Sequence, residues 1–104
     1  MAVVFLKPAS VRLAEALKTV NKADVVVGSG NVITTNLVAT EVREETTDIV
    51  LVVAINVDSI NTETVGEIKL YENAQEVFRV QGINVALNVG RNSITLDIKI
   101  PYTT

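Results

Sequence analysis

From Ile49 to Ile55 the chain reads Ile-Val-Leu-Val-Val-Ala-Ile, without one polar side chain. The run is too short to cross a bilayer as a helix, and its β-branched residues favour an extended strand. A strand that is apolar at every position is buried on both faces. In a chain of 104 residues one cover is the domain's own core. The other cover is predicted to be a helix, a second sheet or a neighbouring subunit.

The rest of the chain carries the same bias. It contains 19 valines and 9 isoleucines, with hydrophobic residues at 48% and aromatics at 4%, so the core is aliphatic and extended. The expected class is α+β, mostly β: an antiparallel sandwich-like domain with one N-terminal helix, over residues 1–104. Residues 1–7 read as an apolar arm, 10–20 as the helix and 24–102 as strands. The net charge is −3 and no two cations are adjacent. Nucleic-acid surfaces cluster cations to neutralise phosphates, so a nucleic-acid partner is not expected. Met1 to Leu6 is too short for a secretory apolar region and Pro8 follows, so neither export nor a membrane partner is expected.

The helix is predicted from Pro8-Ala9-Ser10, with Ser10 as its cap. Leu13, Leu17 and Val20 would share its apolar face with Ala14 and Ala16, leaving Arg12, Glu15 and Lys18 outside. From Ala23 the period becomes two. Asp24 to Val27 reads as a strand ended by Gly28-Ser29-Gly30, then Asn31 to Thr35 and Leu37 to Glu44 as two extended segments. The second has a mixed face, with Val38 and Val42 apolar and Thr40 and Glu44 in register with them. After Asp48 to Val57 come Val65 to Tyr71, a turn at Glu72-Asn73, and Ala74 to Val80. The clearest alternation closes the chain. Ile83, Val85, Leu87 and Val89 share one face, Gly90-Arg91-Asn92 turns, and Ile94, Leu96, Ile98 and Ile100 form what reads as the matching arm of a hairpin.

No candidate for chemistry rises above this pattern. Without histidine or cysteine there is no imidazole or thiolate metal site, no Cys nucleophile and no His-based triad. Gly28-Ser29-Gly30 lacks the further glycine and the following helix of a phosphate loop and reads as a turn. Glu41, Glu44, Glu45 and Asp48 match no calcium loop and read as a solvated face or an interface rim. Glu67, Glu76 and Asp97 sit at the polar positions of alternating strands, so an acid–base pair is not expected. The chain is therefore predicted to be no enzyme and to hold no cofactor or metal.

Val65-Gly66-Glu67-Ile68-Lys69-Leu70-Tyr71 resembles the signature strand in the N-terminal module of bacteriophage tail-collar and tail-fibre proteins. That strand reads roughly Arg-Glu-Ile/Val-Gly-Leu-Phe/Tyr and is followed by a turn and an apolar strand. Glu67, Ile68, Leu70 and Tyr71 match it, while Gly66 and Lys69 depart from it. The helix, the Val25-Val26-Val27-Gly28-Ser29-Gly30 segment and Asp48 to Val57 also fall in the family's order. Family members continue into a shaft or tip, whereas this sequence stops at Thr104, so the resemblance implies an attachment module by itself. It implies a structural component of a virus particle, made in the host cytoplasm: a tail, collar or baseplate part, or a capsid decoration. The expected partners are other copies of the chain, with trimers favoured, and other virion proteins.

The interface candidates are Val3, Val4, Phe5 and Leu6 in the arm, Val50, Val52 and Ile55 in the two-faced strand, and Tyr71 and Tyr102. The arm reads either as an edge strand of its own sheet or as a strand added to a neighbour's. That second possibility supports an alternative, a pilus-like filament subunit that donates its N-terminal strand. A small ligand- or carbohydrate-binding β module is a further alternative, disfavoured by having only Phe5, Tyr71, Phe78 and Tyr102 for stacking.

Overall fold

A computed structural model describes all of residues 1–104. One helix, α1 (Lys7–Leu17), precedes six strands: β1 (Lys22–Val27), β2 (Val32–Glu44), β3 (Asp48–Ser59), β4 (Glu63–Glu72), β5 (Gln75–Leu87) and β6 (Gly90–Pro101). The class is α+β and mostly β, as the composition predicts. All neighbouring strands are antiparallel, in the order β5-β4-β1-β2-β3-β6. The expected pair of sheets is thus one curled sheet, because β2 serves both halves. Its Val32 to Asn36 pair with β1, and its Leu37 to Glu44 pair with β3. The helix is too short to cross a membrane.

The halves face each other across the core. Ala23, Val25 and Val27 of β1 and Val65, Ile68 and Leu70 of β4 are packed in one cluster with Leu51, Val53, Ile55 and Val57 of β3 and Ile94 and Leu96 of β6. The longer half continues past this cluster, and α1 covers the remainder, where Ala14 meets Ile49 and Ile100. All the β3 residues in these clusters are odd-numbered, so strand half and helix lie on the same face of β3. The twelve residues of β3 span roughly 36 Å, and the molecule measures 46 × 25 × 25 Å.

The other face of β3 has no second layer from this chain, which corrects the expectation of a helix or second sheet there. Val50 is fully buried nonetheless, while Val52 and Ala54 are half-buried. Val50 lies between Arg43 and Lys99 across the sheet, and Val52 between Glu41 and Asp97. Long charged side chains lay their methylene stems over apolar neighbours while keeping their charges in water. The sheet supplies its own cover.

Bulges account for several departures from the expected boundaries. Asn31 to Thr35 and Leu37 to Glu44 form one strand, and its register with β3 slips between Leu37 and Ala39. Ile33, Thr35 and Leu37 face inward before the slip, and Thr40 and Val42 after it, while Val38 is 60% exposed. The mixed face is a change of phase. Ala74 to Val80 and Ile83 to Val89 likewise merge into β5, bent at Gly82, whose φ is +68°. The turn before it falls at Asn73-Ala74, with Asn73 in the left-handed region at φ 55°. Asn21 braces that turn: its amide donates to Asn73 Oδ1 at 3.1 Å, and its Oδ1 accepts from the Asn73 N–H at 2.9 Å.

The closing hairpin is not a ladder. β5 pairs with β4 and β6 with β3, and only Asn88-Val89 joins them, with Val89 exposed. The alternation assigns the inward faces correctly except at Val89, but an alternating pattern does not name its partner strand.

The helix starts at Lys7, with Leu6 at the cap position and Pro8 in the first turn. Ser10 caps nothing. It is buried inside the helix and its hydroxyl donates to the Pro101 carbonyl at 3.1 Å. The packed face is Ser10, Val11, Ala14 and Leu17, so Leu13 is left exposed and Val20 enters the core only after the helix ends.

Candidate assembly surface

Met1 to Phe5 form no regular structure and Leu6 makes one isolated parallel bridge, to Thr103. The Thr103 N–H donates to the Phe5 carbonyl at 2.8 Å. The arm is therefore neither a strand of its own sheet nor a packed part of the core. Val3 is 78% exposed, Val4 59%, Phe5 43% and Leu6 56%. Val3, Val4 and Phe5 form one wall of an open groove of about 400 Å³, and Ile100 to Thr103 form the other. Single exposed apolar residues are ordinary, but a contiguous run of them beside an apolar groove is a candidate interaction surface.

Charged groups anchor the base of the arm. Lys7 Nζ lies 2.8 Å from Glu44 Oε2, and this contact holds the ammonium pKa above its usual value of 10.5. Arg43 reaches Glu45 at 3.5 Å and Asp97 at 3.6 Å. Glu41, Glu44, Glu45 and Asp48 do not converge into a group that could hold a metal ion. Such exposed pairs are screened by water and salt, so they orient the chain more than they stabilise it.

The remaining candidates scatter. Ile55 is 1% exposed inside the main cluster and cannot touch a partner, which removes it from the interface set. Val50 is equally inaccessible, and Val52 is reachable only between its charged neighbours. Tyr102 is half-buried and its hydroxyl donates to the carbonyls of Glu45 and Thr46, at 2.8 and 3.0 Å, closing the β2–β3 turn. Tyr71 lies on the outer face of β4, beside a smaller hollow lined by Lys22, Asp24, Thr34, Asn73 and Ala74. Partial burial raises its pKa, and Asp24 adds to the shift.

The carboxylates considered for acid–base work are separated, each with its own partner. Glu67 accepts from Gln81 at 2.6 Å, Glu76 pairs with Arg79, and Asp97 faces Arg43. Gly28-Ser29-Gly30 is the β1–β2 turn, closed by the Gly30 N–H donating to Val27, with Ser29 donating to Glu63 at 3.0 Å.

One surface escaped the sequence reading: the outer edge of β6. Its alternation was visible, but reading it as half of a hairpin assigned that edge a partner it does not have. No protein family, curated protein or solved structure matches this chain.

Proposed function

We propose that this chain is a non-enzymatic structural subunit of a virus particle, a tail, collar, baseplate or capsid-decoration part joined to its own copies and to other virion proteins. The observation that carries this reading is the exposed apolar arm, Val3 to Leu6, set beside an open groove at one pole of an elongated body. A surface of that kind gains by being covered, and assembly covers it. The virus assignment rests on the resemblance of the Val65 to Tyr71 strand within its strand order. Gradient-purified particles provide the test: the chain should be present in a fixed copy number, and a version lacking residues 1–6 should be lost from them. A chain absent from particles and monomeric at high concentration would refute the proposal.

A filament reading keeps one specific support, since before Leu6, whose carbonyl accepts from Ala9 and Ser10 of the helix, only the Thr103 to Phe5 main-chain bond holds the arm to its own domain. Under it, truncated protein would form no filaments and would be rescued by the arm added as a peptide.

A further inference from the structure

The two outer strands of the sheet are unequal. β5 carries extra residues opposite β4 at two places, around Val77 and from Gly82 to Asn84. β6 pairs with β3 through twelve consecutive positions, Gly90 to Pro101, without a slip. Bulges protect an edge from pairing with other chains, whereas a long regular edge is a template for it.

The main-chain directions identify which groups are free. The Tyr102 N–H donates to Thr47 on the β3 side, and the Thr103 N–H donates to Phe5 on the other side. In an antiparallel strand the N–H and C=O of one residue point the same way, and successive residues alternate. The odd-numbered residues of β6 thus turn their main chain away from β3. Proline has no N–H to offer, and the Pro101 carbonyl already accepts from Ser10. Arg91, Ser93, Thr95, Asp97 and Lys99 remain.

We propose that this free edge pairs antiparallel with the β6 edge of a second copy, about a two-fold axis at Ile94, to make one sheet continuous across a homodimer. Hydrogen bonding sets odd residues opposite odd ones, which leaves few registers. An axis at Thr95 would put Arg91 opposite Lys99 of the second copy, and like charges directly opposite are unfavourable. An axis at Leu96 would put Arg91 opposite Pro101, where the edge is already occupied. The axis at Ile94 sets Arg91 opposite Asp97 twice and Ser93 opposite Thr95 twice, all on the exposed face. It also covers the exposed Val89 with the stem of Lys99 from the other copy. Charge complementarity and the free main-chain groups both favour a second copy as the occupant. This contact goes beyond the virus-particle reading and fails separately from it. A two-fold contact alone gives dimers, so it would join subunits pairwise and would not create the expected trimer.

Sedimentation velocity on the full chain over a range of concentrations tests it. The wild type should show a reversible monomer–dimer equilibrium. Thr95→Pro removes a central edge N–H at a position where an edge strand tolerates proline, and should leave a folded monomer. Asp97→Arg and Arg91→Asp should each weaken the dimer roughly tenfold, since each change sets like charges opposite each other twice. The double reversal should restore it. A monomeric wild type, a trimer as the only assembled species, a dimer indifferent to Thr95→Pro, or a double reversal no better than the single changes would each overturn the proposal.

Discussion

The long β2–β3–β6 layer is covered at one end by strands and at the other by a helix, and the two covers are very different in depth. Under β1 and β4 lies a cluster of 14 buried side chains; under α1 lies one of 3. The strand-covered end can hold its shape by burial alone. The helix-covered end depends on few contacts, on the Ser10–Pro101 hydrogen bond and on the exposed Lys7–Glu44 pair. Regions with few buried contacts open first. The arm springs from that thinner end, so the proposed contact surface lies in the part of the molecule with the fewest buried contacts.

Substitutions at matched depths test this contrast. The largest effect is expected for Ile55→Asp in the deep cluster. An unpaired buried charge there should cost more than about 4 kcal/mol and leave no cooperative unfolding transition by circular dichroism. Leu51→Ala and Ile49→Ala form the direct comparison, both at fully buried positions of β3. Each should cost about 2–5 kcal/mol, with Leu51→Ala the greater, because the helix can settle onto the space left by Ile49 while the strand pairs cannot. Equal losses in urea titrations would remove the distinction between the ends. Ser10→Ala should cost about 0.5–1.5 kcal/mol, the net worth of its hydrogen bond to the exposed Pro101, and should speed hydrogen exchange in α1 but not in β1 or β4.

The smallest effect concerns Tyr71. Its pKa is raised in the folded protein, first by desolvation and then by Asp24. The folded state therefore holds the phenolic proton more tightly. The resulting stabilisation is fully present below the ordinary tyrosine value near 10 and is lost as pH rises through the raised one. On a Tyr102→Phe background, ultraviolet titration should show one tyrosine ionising above its usual range. Asp24→Asn should bring it part of the way back, and an unchanged midpoint would exclude a contribution from Asp24.

Faces were far more legible in the sequence than partners. From Glu67 to Tyr71 the block folds as its alternation implies, with Ile68 and Leu70 buried and Glu67 and Lys69 on the other face, while Val65 is buried through the register shift at Gly66. Asp48 to Val57 is the middle strand of the β2–β3–β6 layer, apolar on both sides, but nothing in it says that Arg43 and Lys99 would cover the outer one. Bulges at Val38 and Gly82 hid single long strands behind what looked like two short ones, because a bulge shifts the phase without ending the strand. Ser10 carries the residue type of a cap, but the helix begins a turn earlier. At the candidate surface the arm was visible as an apolar run. Its looseness was not, since that depends on how little Thr103 offers it. Ile55 and Val50 were misplaced because an apolar residue looks alike in sequence whether it serves a core or an interface.

The central claim is that the chain joins its partners through the arm at the thin, helix-covered pole. Amide hydrogen exchange measured on the assembled and the dissociated protein tests it most directly. New protection at Val3 to Leu6 and slowed opening of α1 are expected on assembly. An arm that exchanges as freely in the assembly as in the dissociated chain, with new protection confined to the opposite pole at Gly28 to Asn31 and Ile60 to Thr62, would contradict it.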